Sequence, residues 1–284
     1  MTGARSLGPC VVFVDADNTL WDTNGVYAEA QLALLAAVEE RAEHRLSAED
    51  RLAWLRAIDQ ALAERHHAGL RYPPRLLAKA TALALSGHDA VTAARLAWSG
   101  GREGTRISEE DALRIEQQFL QKIRITPALR AGVRSGLERL KSAGCMILVL
   151  TEGSRSKTLA LLEHHGLADL VDRVIEARKE PRLFERVMAL TDNHPLAFMI
   201  GDQLDRDVEP AKAAGLATIF FPGGFRPKWH PAEADVAPDY KVSDFNAAAS
   251  VVLGAIARDR RLASAGGCPE AAGMPASPLS KRRH

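Results

Sequence analysis

Two carboxylates placed two positions apart, Asp15 and Asp17, close the apolar run Val11-Val12-Phe13-Val14. Four consecutive apolar residues read as a strand buried on both faces, as in a parallel sheet. The carboxyl end of such a strand faces the crevice where open α/β sheets bind ligands. From one exposed turn both acids must point the same way, and two unit charges about 4 Å apart interact by about 4 kcal/mol at an effective dielectric near 20. Their repulsion asks for a cation between or beside them, and Mg²⁺, which takes hard oxygen ligands, is the obvious one. The plainer alternative is a polar turn made with Asn18 and Thr19. Asp-x-Asp alone does not choose, because Asp205 and Asp207 repeat it later in the chain.

The context adds the missing information. Met146 to Leu150 is a second apolar run and ends in Thr151; Val174 to Ala177 leads into the basic pair Arg178-Lys179; Ala197 to Gly201 ends in Asp202, with Asp207 five residues on. With these groups in this order, the chain resembles the haloacid dehalogenase-like (HAD) superfamily over residues 9–255. The resemblance implies an α/β fold: a Rossmann-like, three-layer, doubly wound, mostly parallel sheet with an inserted all-α cap. It also implies Mg²⁺-dependent hydrolysis of a small phosphorylated metabolite through an aspartyl-phosphate on the nucleophile Asp15. Asp17 fits a general acid that protonates the leaving alcohol and then a base that activates water. Dehalogenases of the superfamily lack an acid at that second position and need no metal, so Asp17 points to the phosphatase branch.

Asp15, Asp17, Asp202 and Asp207 form the metal-binding set that the resemblance implies. Thr151, with the backbone N–H groups of Glu152 and Gly153, would cradle phosphate oxygens at a helix start. The third motif is split between two residues. Spacing back from Pro181 and Phe184 puts Arg178 there, yet Lys179, a compact point charge, is the choice made here, with Arg178 the alternative. A metal-independent 2-haloacid dehalogenase, a phosphotransferase of mutase type and a non-catalytic scaffold stay open beside the phosphatase.

With 284 residues, 46% of them hydrophobic, the chain can bury one large core or two modest ones. A formal net charge of +1 leaves no bulk field to recruit a nucleic-acid polymer or an anionic membrane. Cys10, Cys145 and Cys268 lack metal-ligand spacing and read as reduced thiols of a cytoplasmic protein. The apolar run before Asp15 is too short for a signal peptide, and no stretch approaches a membrane span. Nothing in the residues speaks to oligomeric state.

Positioning the motifs falls to a catalytic core at residues 1–22 and 125–260, with a helical cap at 23–124 and a disordered tail at 261–284. Within the cap, helical spacing predicts segments over 26–45, with Leu32, Leu35 and Val38 among its apolar positions, and over 47–66, with Ser47 as N-cap and Asp50 three residues on. Further helices are expected from Pro73-Pro74, over 88–98 and over 108–123. Thr126-Pro127 reads as the start of a core helix carrying Leu129, Val133, Leu137 and Leu140, ended by Gly144. Arg71, Arg75 and Lys79 share a stripe whose plainer reading is a solvated face. His66-His67 and His164-His165 lack the spacing of metal ligands. Trp21 reads equally as a contact at the core–cap junction and as ordinary core. Gly223 to Trp229 would border the pocket.

Overall fold

Strand β1 (Val11–Val14) lies inside a six-stranded, wholly parallel sheet of order β3-β2-β1-β4-β5-β6. The other strands are β2 (Met146–Thr151), β3 (Arg173–Glu176), β4 (Ala197–Gly201), β5 (Ala217–Phe220) and β6 (Tyr240–Lys241). This computed structural model describes residues 8–64, 72–100, 106–191 and 194–265. Helices between the strands complete a doubly wound α/β fold, as the alternation of apolar runs and helical segments predicts.

Alternation along each strand divides the core into two layers. Val12, Val14, Ile147, Val149 and Ile200 face one side, where they meet Leu137 of α6 (Val133–Ser142), Leu161 of α7 (Arg155–His164) and Phe245 and Val252 of α11 (Phe245–Ala265). Val11, Phe13, Leu148, Leu150 and Met199 face the other, against Phe184 and Val187 of α8 (Pro181–Leu190) and Ala211 of α9 (Glu209–Ala213). The short α10 (Glu233–Val236) precedes β6. Register sets Val14 beside both Val149 and Ile200, so the chain leaves β1 and β4 at one level with Asp15 and Asp202 next to each other.

Between β1 and α6 the described residues form five helices: α1 (Thr23–Ala42), α2 (Arg51–Ala63), α3 (Pro74–Leu85), α4 (Ala90–Trp98) and α5 (Glu109–Lys122). They bury a core of their own, including Leu34, Leu35, Val38, Leu55, Leu62, Leu77, Leu83 and Phe119. Ser108 caps α5 with a reciprocal bond to Asp111, and Pro74 opens α3 from Pro73.

Several local expectations need correction. Helix α1 starts at Thr23 and stops at Ala42, because Asp22 accepts from Gly25 N–H and Glu43 takes left-handed backbone. Along that helix Leu34, Leu35 and Val38 are buried, whereas Leu32 is 37% exposed. Asp50, not Ser47, caps α2 by accepting from Ala53 N–H. Helix α6 begins at Val133, after Gly132 at φ +78°, rather than at Thr126-Pro127. Leu129 instead forms an antiparallel bridge with Trp21, which holds the segment away from helical backbone. Helix α11 continues through Ala265, past the expected start of the tail at 261. His66, His67, Arg71, Cys268 and residues 266–284 lie outside the described residues. Among the described residues no helix is long and apolar enough to cross a membrane.

Candidate active site

Four loops at the carboxyl ends of β1, β2, β3 and β4 meet in one place. Asp15 follows β1, Asp202 follows β4, and Asp207 closes a π-helical turn at Leu204–Val208. One carboxylate oxygen from each of these three buried acids lies within 4.8 Å of the others. Lys179 Nζ reaches into the group, bonding Asp15 Oδ1 and, at 2.6 Å, Asp207 Oδ1. Its side chain is 4% exposed, whereas that of Arg178 is 83% exposed and pairs with Glu180. Of the basic pair, therefore, only Lys179 enters the cluster.

Three acids and one ammonium leave an uncompensated negative charge. Burial pushes the Asp15 carboxyl up to about 7 despite Lys179, with Asp207 and Asp17 adding to the rise. Burial again, then repulsion from Asp15 and Asp207, lifts Asp202 to about 9. Burial alone would pull the Lys179 ammonium down, but Asp15 and Asp207 outweigh it and hold the group above its ordinary value. Among the described residues, Asp15 Oδ2 and Asp202 Oδ1 are buried with no hydrogen-bond partner. Orphaned carboxylate oxygens in an over-charged cluster are costly unless a cation takes them, and all-oxygen donors suit a hard ion such as Mg²⁺.

Three of the four acids that the resemblance implies as metal ligands lie in this cluster. Asp207 lies in the cluster, but Oδ1 is bound to Lys179 and Oδ2 accepts from Gln203 N–H at 2.9 Å. Asp17 is not among the three clustered acids. Its Oδ1 instead accepts from Trp21 Nε1–H at 3.0 Å and the Thr23 hydroxyl at 2.7 Å. Its Oδ2 looks toward the second loop: a methyl group on Gly153 would stand 3.5 Å from that oxygen and 3.3 Å from Thr151 Oγ1. Asp17, Thr151 and Gly153 therefore adjoin.

In the loop after β2, Thr151 is buried and its Oγ1 accepts from Gly153 N–H at 3.0 Å. Glu152 serves with its side chain, accepting from Lys179 N–H at 3.0 Å and pairing with Arg206 at 3.2 Å. It thus ties the second loop to the third and fourth. Asn18 adopts φ +60°, a conformation open to Asn, which lets its Oδ1 accept from Asn24 N–H at 2.7 Å.

Sequence reasoning missed Arg130. Its guanidinium lies 3.5 Å from the Phe221 ring centroid and donates to the carbonyls of Asn18, Phe221 (3.2 Å) and Pro222 (2.7 Å). One cation thereby fixes the loops after β1 and β5 together; no motif or spacing marks it. Gly223 was noticed only as part of a loop, yet a side chain there would meet Asp202 Oδ2 at 2.3 Å. The same loop reaches the helical module, where Arg56 lies 4.4 Å from the Phe225 centroid and Gln60 accepts from Lys228 N–H at 2.8 Å. Arg75 and Lys79 pair with Glu116 and Glu109, as surface charges do.

The sequence model for haloacid dehalogenase-like hydrolases matches residues 11–215, and the chain belongs to that family. It is 30% identical over 110 residues to ribulose-1,5-bisphosphate 5-phosphatase of Halopiger xanaduensis, covering 36% of this chain and 44% of that one. It is 29% identical over 133 residues to phosphoglycolate phosphatase of Rhodobacter capsulatus, covering 44% and 58%. The chain thus spans about half the length of the curated relatives it matches. A haloacid dehalogenase-like family hydrolase from Xanthomonas campestris superposes with a TM-score of 0.60 at 22% identity, over 90% of this chain and all of that one. That likeness concerns the fold.

Proposed function

We propose that the chain is a Mg²⁺-dependent phosphomonoester hydrolase of small phosphorylated metabolites, working through an aspartyl-phosphate on Asp15. The observation that carries this reading is the trio Asp15, Asp202 and Asp207, with orphaned oxygens on Asp15 and Asp202 and Lys179 inserted between Asp15 and Asp207. Relatives named as phosphatases of ribulose bisphosphate and phosphoglycolate support the substrate class. Asp15 through Oδ2 and Asp202 through Oδ1 would hold the cation, with Asp207 steadying Lys179. When bound, Mg²⁺ supplies charge neutralisation and orients the phosphoryl oxygens.

This chain's own residues do the rest. A carboxylate oxygen of Asp15 bonds to phosphorus as the bond to the leaving oxygen breaks, and Asp17 gives that oxygen a proton. Water then bonds to phosphorus, Asp17 takes its proton, and the bond from phosphorus to Asp15 breaks. Lys179 offsets charge on Asp15 and on the transferring group. Thr151 and the N–H groups of Glu152 and Gly153 face the phosphoryl oxygens, which requires Gly153 N–H to leave Thr151. The five-helix module, clasped through Arg56 and Phe225, acts as the cap over this mouth.

A phosphate-release screen across phosphorylated metabolites, with and without Mg²⁺, tests the reading beside Asp15→Asn and Asp17→Asn. Turnover untouched by EDTA would contradict the metal assignment. Chloride release from 2-haloacids without metal would replace the phosphatase with a dehalogenase, and phosphoryl transfer to an added alcohol would point to a mutase.

A further inference from the structure

Trp21 is 1% exposed and belongs to the sheet-bearing core, where its ring stacks on His165 at a centroid distance of 6.4 Å and 21° between planes. His165 is held in turn, with Nε2 3.0 Å from the Pro127 carbonyl oxygen. Backbone contacts fix the residue further: its carbonyl accepts from Asn18 N–H at 2.8 Å, and it bridges Asp17 and Leu129. A buried indole N–H needs an acceptor, and backbone carbonyls commonly serve. Here the acceptor is the carboxylate of Asp17. Thr23, which donates to the same oxygen, is the first residue of α1, whereas Trp21 belongs to the sheet-bearing core.

Two donors on Oδ1 occupy the lone pairs a carboxylate oxygen offers in its plane, which leaves Oδ2 as the oxygen able to exchange a proton. Oδ2 is also the oxygen facing Gly153 and Thr151. We propose that Trp21 is a positioning residue for proton transfer: by holding Oδ1, it dedicates Asp17 Oδ2 to the leaving group and then to water. This rests on the acid–base role of Asp17 argued above. In the first half-reaction the proton on Oδ2 passes to the leaving oxygen as its bond to phosphorus breaks and the bond to Asp15 forms. In the second, Oδ2 takes a proton from water as the water oxygen bonds to phosphorus and Asp15 departs.

Trp21→Phe keeps an aromatic ring on His165 and deletes the donor. The assay compares kcat/KM for 2-phosphoglycolate, whose alkoxide must be protonated to leave, with that for 4-nitrophenyl phosphate, whose phenolate departs without a proton. Misplacing a reacting group by an ångström can cost about a hundredfold. The expected loss is at least about tenfold with phosphoglycolate and less than about threefold with the aryl ester. Equal losses with both esters, or none with either, overturn the proposal. Asp17→Asn is the control: if it fails to discriminate between the esters, the acid–base reading of Asp17 fails; if it discriminates and Trp21→Phe does not, only the role of Trp21 fails.

A second measurement needs no turnover. The chain has four tryptophans, and Trp21→Phe identifies the indole N–H signal of Trp21 in a ¹H–¹⁵N spectrum of the full chain. That signal should lie downfield, exchange slowly, and move upfield in Asp17→Ala. A signal unmoved by Asp17→Ala overturns the proposal.

Discussion

Asp202→Asn should raise the stability of the metal-free protein while abolishing most of its response to Mg²⁺. Asp202 is 6% exposed, and its carboxyl sits at about 9 against 3.8 for the free group. Because the folded value is the higher one, the native state holds more protons than the unfolded chain between about pH 4 and pH 9, and stability falls as pH rises through that window. At about 1.4 kcal/mol per unit, the upper bound at pH 8 is roughly 6 kcal/mol. Water entry and relaxation of neighbouring groups reduce it to about 2–3 kcal/mol. Asparagine fills nearly the same volume and carries no charge to desolvate.

In EDTA at pH 8 the variant should therefore melt about 5–10 °C above the parent, from the usual scaling for a chain of this size. At pH 5 most of that advantage should be gone. Saturating Mg²⁺ should close most of the gap, since ligand at 100 times its Kd stabilises the parent by about 2.7 kcal/mol and the variant far less. Differential scanning calorimetry across pH, with EDTA and with Mg²⁺, gives the comparison. A variant that melts below the parent in EDTA at pH 8, or equal shifts with Mg²⁺ for both proteins, refutes the reasoning.

Asp15→Asn and Asp17→Asn should each lower kcat at least about a hundredfold in a phosphate-release assay, the low end for loss of a positioned acid or base. Lys179→Met removes the ammonium from between Asp15 and Asp207; urea unfolding should show a loss of about 3–5 kcal/mol at pH 8 that shrinks at pH 5, below the raised value of the Asp15 carboxyl. Gly223→Ala presses a methyl group on Asp202 and should weaken Mg²⁺ binding about tenfold or more by calorimetric titration, with circular dichroism unchanged. Arg56→Ala removes the stack on Phe225, worth about 0.5–2 kcal/mol, and should open the module in solution scattering and raise KM more than it lowers kcat.

The sheet could be read in the chain because its strands are continuous apolar runs: Val11 to Val14, Met146 to Leu150 and Ala197 to Gly201 leave little room for another assignment. The acids were equally visible, since polar groups ending such runs interrupt a pattern. Helix starts were less so, because Ser47 and Asp50 are both competent caps, and the helix that buries Leu55 and Ile58 begins after Asp50. The Thr126-Pro127 pair has the chemistry of a helix start, but pairing of Leu129 with Trp21 outweighs that local preference. Arg130 was invisible for a different reason. Its partners are the backbone carbonyls of Asn18, Phe221 and Pro222, up to 112 residues away, and carbonyls leave no mark on sequence.

The five helices join the sheet through two segments that run side by side. Leu20 O accepts from Arg130 N–H at 3.0 Å, and Ala128 O accepts from Asp22 N–H at 2.9 Å. To the sheet, the hundred residues between are equivalent to the loop of a hairpin. Closing such a loop costs only about 0.6 kcal/mol more for each doubling of its length. Everything beyond Asn24 can therefore be lengthened, trimmed or exchanged without refolding the sheet below, and a graft joined after Asn24 and before Ala128 would keep the Thr23 and Asn24 bonds to Asp17, Asn18 and Gly223.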